Sequence, residues 1–384
     1  LADVQDRLRG ARGVSFFARD YDGRERGPVT ARRALASSLN LAALDAAAQV
    51  AAADIVARLR SLGLRADRAA EAYGEAVVLG GVDVTALQMA AVYATLARGG
   101  TLLRPTLLPR RTAPSAVRVM DAAAAAMTLD VLRDPAARRQ GFGDDLVALA
   151  PGVTFALKTG TSSNWRDAWA AVSSSRFTVV VWLGDPASAP MAQVSGFEAA
   201  APTAVRVLAA AERLAPEVAA VLWQPAMESV ALCADSGHRA GPGCSHVVVE
   251  QVPSGRAPHA PCSAHDAEGR TMLAARYAGW MARHRPTGYA LSDGTEHEGA
   301  VEVSEPRDGA VWVIDARRAL PAVELVARVQ GRRVLATWEV DGTPHAGSTW
   351  RPTAGTHRFA AVVGARRSAV TTLRVEMAGT PPRE

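Results

Sequence analysis

The chain has 384 residues, of which 49% are hydrophobic and 21% are charged, and its formal net charge is +5 at pH 7. This composition excludes a disordered or collagen-like protein, no apolar run approaches the about 18 residues that span a bilayer, and the length favours two domains. Nucleic-acid binding is disfavoured, because all but one of the 43 basic residues are Arg, scattered along the chain without a basic tract.

Residues 1–215 are predicted to combine helices with an antiparallel sheet. The polar, Gly-rich residues 1–27 predict loops and turns. Apolar residues at helical spacing predict a helix that Thr30 caps and that includes residues 38–40, and further helices over about 45–62, from Thr85 to Gly99, over 115–134 and over 198–213. Period-two alternation predicts three strands at 153–161, 167–172 and 177–183.

The remaining residues are predicted to form a connector and an all-β module. Residues 216–295 are rich in Pro, Gly, Cys and His and have little periodicity, which predicts a connector with a Cys-rich loop. Between 296 and 384, short Val-rich segments separated by turn residues predict the strands of a small sandwich; they lie at 301–303, 311–313, 323–329, 335–340, 357–363 and 370–375.

The distribution of His and Cys limits the chemistry of the first part. Residues 1–237 contain no His, and the three Cys lie between 233 and 262. A Ser-His-Asp or Cys-His pair and a His-bound metal are therefore excluded there. An enzyme in this part has to work with hydroxyls, carboxylates, amides and Lys158, the single Lys of the chain.

The strongest chemical signal is Lys158-Thr159-Gly160-Thr161 on a predicted strand, together with Ser38-Leu39-Asn40 far upstream. A Lys beside a Ser hydroxyl holds a carboxylate and lowers the proton affinity of the hydroxyl. Thr hydroxyls add hydrogen bonds, Gly leaves room for a substrate backbone, and Asn suits an incoming amide. Each motif alone is typical of a surface turn or a helix cap. Arg, however, cannot give up a proton, which favours a function for the single Lys.

These residues resemble the penicillin-binding serine D,D-transpeptidases, which share a fold with serine β-lactamases, and in particular their bifunctional 1C-like members. The resemblance extends over nearly the whole chain, including the Cys-rich region and the β module. Its most specific stretch is residues 158–169; further matching segments are residues 20–23, 26–30, 34–40, 93–100 and 177–184.

The resemblance implies a role for each residue of the motifs. Lys158 would polarise the nucleophile, Thr159 and Thr161 would hold the donor carboxylate, and the Thr161 N–H would give half of an oxyanion hole. Ser38 would relay a proton and Asn40 would orient the acyl amide. Gly160 would admit the substrate backbone.

The implied reaction is acyl transfer from the D-Ala-D-Ala end of a peptidoglycan stem peptide, with β-lactams as substrate mimics. The implied fold is a mixed α/β transpeptidase domain over residues 1–215, lacking its N-terminal part, then the connector and an immunoglobulin-like sandwich over 296–384. The resemblance places the protein on the periplasmic side of the bacterial inner membrane, with cell-wall synthesis partners for the sandwich. No metal or organic cofactor is implied.

The chain departs from the family pattern in one respect. The nucleophile motif Ser-x-x-Lys is absent, because Phe155 stands three residues before the only Lys. In the family that motif, a glycosyltransferase domain and a membrane anchor lie upstream of the matching segment. The expectation is therefore a C-terminal fragment of a peptidoglycan synthase, inactive alone. The alternatives are a non-catalytic periplasmic scaffold with a degenerate transpeptidase shell, and a β-lactamase or carboxypeptidase, which the C-terminal module disfavours.

The three Cys leave three interpretations open: one disulfide with an odd thiol, a zinc site, and three free thiols. A periplasmic location favours a disulfide, and Cys244 and Cys262 close a Pro-rich loop, so this pair is predicted, with Cys233 left over. The second interpretation is a zinc site that adds His265, since Cys262-x-x-His265 has knuckle-like spacing; the interval from Cys233 to Cys244 is long for a finger. Trp165, beside the predicted strands, is expected to face the substrate cleft.

Overall fold

The structure is a computed structural model that divides the chain into two compact units, Leu1–Ser263 and Ala264–Glu384. It describes residues 1–5, 8–9, 15–16, 18–108, 115–143, 146–191, 194–221, 225–292, 300–315, 322–329, 332–334, 336–364 and 366–378. Within these ranges no single helix has the length and apolar composition to cross a bilayer; two consecutive helices, Asn40–Ala47 and Ala52–Ser61, meet those criteria only together, and they are bent by 103°.

The first unit contains eight α-helices among its described residues. They are α1 (Ala31–Ala36), α2 (Asn40–Ala47), α3 (Ala52–Ser61), α4 (Ala70–Tyr73), α5 (Ala86–Ala97), α6 (Ala122–Arg133), α7 (Pro135–Phe142) and α8 (Ala201–Leu214). Its strands are β1 (Ala2–Asp3), β2 (Leu8–Arg9), β3 (Ser15–Phe16), β4 (Gly27–Pro28), β5 (Thr101–Leu103), β6 (Ala116–Arg118), β7 (Ala156–Thr161), β8 (Asp167–Ser173), β9 (Thr178–Gly184), β10 (Met227–Cys233) and β11 (Val247–Pro253). A π-helical turn, Gly196–Ala200, leads into α8.

The centre of the first unit is the antiparallel sheet β7-β8-β9, in which β7 is an edge strand. Because side chains alternate along a strand, β7 contributes to two cores. Phe155 and Leu157 pack with α8, whereas Ala156 packs with Leu129 and Leu132 of α6. The alternation therefore places the next residue on the Ala156 side, Lys158, toward the helices that precede the sheet.

The predicted antiparallel sheet of three strands is confirmed, nearly within its predicted bounds, and so are the helix caps Thr30 and Thr85. The predicted continuous helix through residues 38–40 is wrong, because residues 37–39 are non-helical and separate α1 from α2. The predicted helix over 45–62 is likewise divided between α2 and α3. The predicted helix at 115–134 begins only at Ala122, since Asp121 caps α6 and the residues before it pair as β6.

The region predicted as a connector carries regular structure of its own. Strands β10 and β11 form a seven-residue antiparallel hairpin within the first unit. Glu250 of β11 accepts two hydrogen bonds from Arg32 of α1, at 2.9 Å to Oε1 and 2.7 Å to Oε2. Arg32 also forms two ion pairs with α6 and the residue after it. Its Nη2 lies 2.5 Å from Asp130 Oδ2, and its Nη1 lies 3.1 Å from Asp134 Oδ2. Hydrogen bonding with Glu250 raises the pKa of Arg32 further above its usual value. The sequence did not predict this hairpin, because the Pro and Gly residues of the flanking turns give the whole stretch the composition of a loop.

The second unit contains one α-helix and thirteen strands among its described residues. They are β12 (Thr271–Leu273), α9 (Ala278–His284), β13 (Tyr289–Leu291), β14 (Val301–Glu305), β15 (Ala310–Asp315), β16 (Val323–Glu324), β17 (Val326–Val329), β18 (Arg332–Val334), β19 (Thr337–Val340), β20 (Thr343–His345), β21 (Thr349–Trp350), β22 (Gly355–Val363), β23 (Arg366–Arg367) and β24 (Thr371–Ala378).

The strands after residue 300 share one hydrophobic core. A three-stranded sheet has the order β14-β17-β18, and a larger sheet has the order β15-β24-β22-β19-β20, with β23 beside β22. Both sheets contribute to a core built around Leu325, Trp338, Phe359 and Leu373. Strands β15 and β24 pair in parallel and the other neighbours are antiparallel. The immunoglobulin-like topology stays a prediction.

We expect residues 296–384 to unfold cooperatively when expressed alone. Every buried member of this core lies between Val301 and Val375, so the segment keeps its own apolar contacts. Thermal unfolding followed by circular dichroism should give one sigmoidal transition, and residues 264–384, the whole second unit, provide the longer comparison. A gradual transition of the shorter chain with dye-binding surface, beside a sharp one of the longer chain, would contradict the boundary at 296.

Candidate active site

Lys158 and Ser38, 120 residues apart in the chain, meet beside the edge of the sheet. Lys158 Nζ donates a hydrogen bond to Ser38 Oγ at 2.6 Å and another to the Thr159 carbonyl oxygen at 2.7 Å. The Lys158 side chain lies in a narrow crevice whose lining includes Ala36, Arg138 and Phe197. A primary amine and a hydroxyl in direct hydrogen bond are the parts needed to move a proton.

Ser38 lies in the short non-helical break between α1 and α2, and not within a helix. It follows α1 in the left-handed region, with φ of 56°, a conformation that costs free energy for a residue other than Gly. The preceding Ser37 is buried, and its Oγ donates to the Ala137 carbonyl of α7 at 3.1 Å. A Cβ at Gly141 would lie 2.5 Å from Ser37 Cβ, so only Gly lets α7 approach this closely. These contacts hold the break that presents Ser38.

Asp20 fixes the other side of the break. Its Oδ1 accepts hydrogen bonds from the backbone N–H groups of Asn40, at 2.6 Å, and Leu41, at 3.1 Å, and so caps the start of α2. Its Oδ2 lies 3.0 Å from Arg26 Nη1. The side chain of Asn40 donates from Nδ2 to the Arg19 carbonyl at 2.8 Å, which ties α2 to the same loop. The role of Asn40 toward an acyl amide stays a prediction.

A second carboxyl, Asp3, is fully buried beside Asp20. Burial raises the pKa of Asp3, and the hydrogen bond and charge of Asp20 raise it further, while Arg26 acts in the opposite direction. The Arg26 backbone N–H donates to Asp3 Oδ2 at 3.0 Å. Because the folded pKa exceeds the unfolded one, the stability that Asp3 contributes is present at low pH and lost as the pH rises through the folded value.

The remaining residues of the strand motif lie along the exposed end of β7. Gly160 and Thr161 are exposed and Thr159 is partly buried. Thr161 Oγ1 accepts a hydrogen bond from the Gly196 N–H at 3.0 Å, on the face opposite to Lys158, which leaves the hydroxyl proton for an acceptor such as a carboxylate. A Cβ at Gly160 would meet only Trp169 Cβ, at 3.8 Å. The structure thus joins Lys158 to Ser38, and it leaves the strand edge beside them open.

Just under half of the chain is similar to known proteins. Residues 9–194 match the family described as penicillin binding protein transpeptidase domain. They are homologous to penicillin-binding protein transpeptidase domains.

Similar curated proteins are penicillin-binding proteins of several bacteria. The chain is 32% identical over 185 residues to penicillin-binding protein 1C of Escherichia coli (strain K12), covering 48% of this chain and 23% of that protein. It is 28% identical over 194 residues to penicillin-binding protein 1B of Vibrio cholerae, covering 48% and 24%. For penicillin-binding protein 1A of Aquifex aeolicus the identity is 29% over 188 residues, covering 45% and 24%. The chain spans about a quarter of the length of these relatives.

The fold agrees with this assignment. The 2.6 Å crystal structure of penicillin-binding protein 1A from Haemophilus influenzae superposes with a TM-score of 0.57 at 17% identity. The match covers 68% of this chain and 45% of that one. The shared architecture is the mixed α/β fold of the transpeptidase domain.

Arg138 is a residue of the Lys158 crevice that the sequence did not indicate. It lies buried on α7, its Nη2 donates to the Leu132 carbonyl at 3.2 Å, and its guanidinium lies 5.7 Å from the Phe155 ring centroid. A second cation therefore lines the crevice that holds Lys158. Nothing in the Arg-rich composition distinguishes Arg138 from its exposed neighbour Arg139, so the signal appears only once α7 is placed.

Trp165 of the loop after β7, predicted alone, belongs to an aromatic pair. Trp165 packs edge-to-face on Tyr21, with ring centroids 5.6 Å apart. Tyr21 is 64% exposed, and Trp165 has a positive φ of 58°. The pair joins the loop after β7 to the loop that carries Asp20, and the orientation of Trp165 toward a substrate stays a prediction.

Burial lowers the pKa of Lys158 in the transpeptidase domain to about 8. The cause is desolvation of the ammonium, which disfavours its charged form. An amine with this pKa gives and takes a proton near neutral pH, which Arg does not. Because the unfolded chain binds the proton more tightly, the domain gains stability from this group as the pH rises from the folded pKa toward the unfolded one.

The titration of Lys158 can be measured directly, because it is the single Lys of the chain. Reductive methylation with ¹³C-formaldehyde labels only the amino terminus and Lys158. We expect the Lys158 methyl resonance to titrate with a midpoint about 8, against about 10.4 for an unperturbed Lys. Lys158→Arg assigns the resonance by removing it, and unfolding in urea should restore the higher midpoint. A midpoint about 10.4 in the folded chain would contradict the burial of this amine.

Proposed function

We propose that this domain serves serine-type D,D-transpeptidation in peptidoglycan cross-linking, with stem peptides as donors and β-lactams as their mimics. The observation that carries the proposal is the 2.6 Å contact between Lys158 Nζ and Ser38 Oγ beside an open strand edge. In the proposed reaction a serine oxygen attacks the carbonyl carbon of the penultimate D-Ala. The bond to the terminal D-Ala breaks, and an amine of a second stem peptide then displaces the serine.

Each site residue has a proposed part in these steps. Lys158 and Ser38 pass the proton that leaves the attacking serine to the departing amine of D-Ala. The Thr159 and Thr161 hydroxyls bind the terminal carboxylate of the donor, and the Thr161 N–H binds the developing oxyanion. The donor backbone lies along β7, where Gly160 leaves the edge accessible. Asn40 orients the acyl amide.

We further propose a 1C-like synthase on the periplasmic side of the inner membrane. This rests on the motif resemblance and on the 32% identity with penicillin-binding protein 1C. A glycosyltransferase activity of the whole protein and cell-wall synthesis partners for the C-terminal module belong to the same proposal. No nucleic acid has a part in it.

A second candidate is a non-catalytic scaffold that binds stem peptides or partners. The specific observation in its favour is that Ser-x-x-Lys does not occur in these 384 residues, since Phe155 stands three positions before the single Lys. A binding shell would keep the open strand edge and the carboxylate-binding hydroxyls. The two candidates differ in whether a supplied nucleophile reacts.

Fluorescent penicillin separates them. The 384-residue chain should show no covalent label, because loss of the nucleophile typically lowers the rate about a million-fold. A chain in which a Ser-x-x-Lys segment of the family pattern is joined before Leu1 should be labelled, and Ser→Ala in that segment is the control. Stoichiometric labelling of the original chain would place a nucleophile within it. A folded extended chain that stays unlabelled would favour the scaffold.

A further inference from the structure

The three Cys of the chain converge at the end of the first unit. Their Sγ atoms all lie within 4.8 Å of one another. Cys233 ends β10 and is buried, Cys244 lies in the loop before β11, and Cys262 lies beyond the hairpin. The disulfide between Cys244 and Cys262 stays a prediction, and the structure adds that Cys233 Sγ lies within 4.8 Å of both of these sulfurs.

Backbone hydrogen bonds hold the three segments together independently of the sulfurs. The Cys233 N–H donates to the His238 carbonyl at 2.9 Å, which closes a tight turn directly after β10. The Cys262 N–H donates to the Arg239 carbonyl at 2.8 Å, and the Ala234 N–H donates to the His246 carbonyl at 2.9 Å. The sulfurs are therefore brought together by the fold, as the ligands of a preformed site are.

Two of the sulfurs also have polar neighbours. The Gly241 N–H donates to Cys244 Sγ at 3.3 Å, and Ser236 Oγ lies 3.1 Å from Cys262 Sγ. A neutral thiol is a weak acceptor, whereas a thiolate attracts such donors strongly. A coordinated thiol is deprotonated, so a cation among the sulfurs would turn these two contacts into hydrogen bonds to thiolates.

The arrangement fits a thiophilic cation better than a disulfide. Sulfurs bound at about 2.3 Å to a tetrahedral zinc ion lie about 3.8 Å apart, which is inside the 4.8 Å limit seen here. A disulfide requires two sulfurs at about 2.05 Å and would leave the third sulfur crowded against them. Three thiolates select zinc over the hard cations magnesium and calcium.

We propose that Cys233, Cys244 and Cys262 bind one structural Zn²⁺. The sequence nominates His265 as the fourth ligand, because it follows Cys262 at knuckle-like spacing. Binding displaces up to three thiol protons, and the ion bonds to the three sulfurs without any change in oxidation state. The ion joins the turn after β10 to the chain beyond β11 and so fixes the end of the hairpin.

Metal analysis of the untagged, reduced 384-residue chain tests the site. We expect one zinc per chain after gel filtration, and three thiols that react with a thiol reagent only after a chelator is added. Cobalt added to the zinc-free chain should give the visible spectrum of tetrahedral thiolate coordination, and zinc should displace it. A folded chain with no stoichiometric zinc and no cobalt–thiolate spectrum, or one with a single reactive thiol in denaturant without reductant, would overturn the proposal.

Variants identify the ligands. Cys244→Ser should lose the zinc, with an affinity lower by more than about 100-fold, and Ser263→Ala, beside Cys262, should keep it. Ser236→Ala should weaken binding by about 10-fold through loss of its contact to Cys262 Sγ. His265→Ala tests the fourth ligand against His259→Ala, an exposed His of the same region. If Cys244→Ser does not fold, the cobalt titration of the unaltered chain decides the outcome, and full zinc retention by a folded Cys244→Ser refutes the site.

Discussion

Lys158→Ala is expected to lower penicillin labelling of the chain supplied with a Ser-x-x-Lys segment by about 10²–10⁴-fold, the usual contribution of a positioned acid–base group. The substitution removes the amine that holds Ser38 Oγ at 2.6 Å and whose pKa is about 8. The relay between the two side chains is lost, and the crevice loses a cation. Labelling rates measured by gel fluorescence after a penicillin pulse give the size of the effect.

Two further variants separate charge from proton transfer in this experiment. Lys158→Arg keeps a cation but cannot release a proton, so binding should recover more than the acylation rate does. Arg206→Ala, at an exposed position of α8, is the matched loss of a cation and should leave labelling unchanged. Equal labelling rates with and without Lys158 would remove this residue from the mechanism.

Asp20→Ala is expected to lower the free energy of unfolding of the first unit by about 3–5 kcal/mol, as for one partner of a buried ion pair. Asp20 is only 5% exposed. Its loss leaves the N–H groups of Asn40 and Leu41 without their cap and removes a carboxylate from Arg26. Denaturant unfolding followed by tryptophan fluorescence measures the change.

Asp22→Ala is the control for this substitution, because Asp22 binds the same Arg26 at 2.6 Å from an exposed position. An exposed ion pair contributes about 1 kcal/mol or less, so this variant should remain close to the original chain. In the extended chain Asp20→Ala should also lower penicillin labelling, since Ser38 lies in the break that Asp20 holds. Similar losses of stability for both variants would show that Asp20 acts only as a surface charge.

The central sheet was predictable from sequence and the geometry around Ser38 was not. Alternation in 153–161 and 167–183 is a local property, so the strands and the edge position of the Lys158 motif follow from neighbouring residues. The break at Ser38 depends on Asp20 and on the close approach of Gly141, which lie 18 and 103 residues away. The stretch around Ser38 is rich in Ala and Leu and has a continuous helical pattern, so nothing local predicts the break.

The convergence of the cysteines was also beyond local reasoning. Their intervals of ten and seventeen residues match no short motif, and the β10–β11 hairpin that brings them together lies in a stretch whose composition suggests a loop. The sequence therefore favoured two partners for a disulfide. The tertiary structure shows that Cys233 Sγ also lies within 4.8 Å of the other two sulfurs.

The hairpin has a consequence for where this protein can be cut. Glu250 lies 56 residues beyond the end of the family match, yet it supplies two of the hydrogen bonds that hold Arg32 of α1, the helix that ends just before Ser38. A recombinant fragment that stops at residue 194 or 215 would leave this guanidinium with Asp130 and Asp134 alone. The family match thus ends at residue 194, whereas the contacts that hold α1 extend through the hairpin.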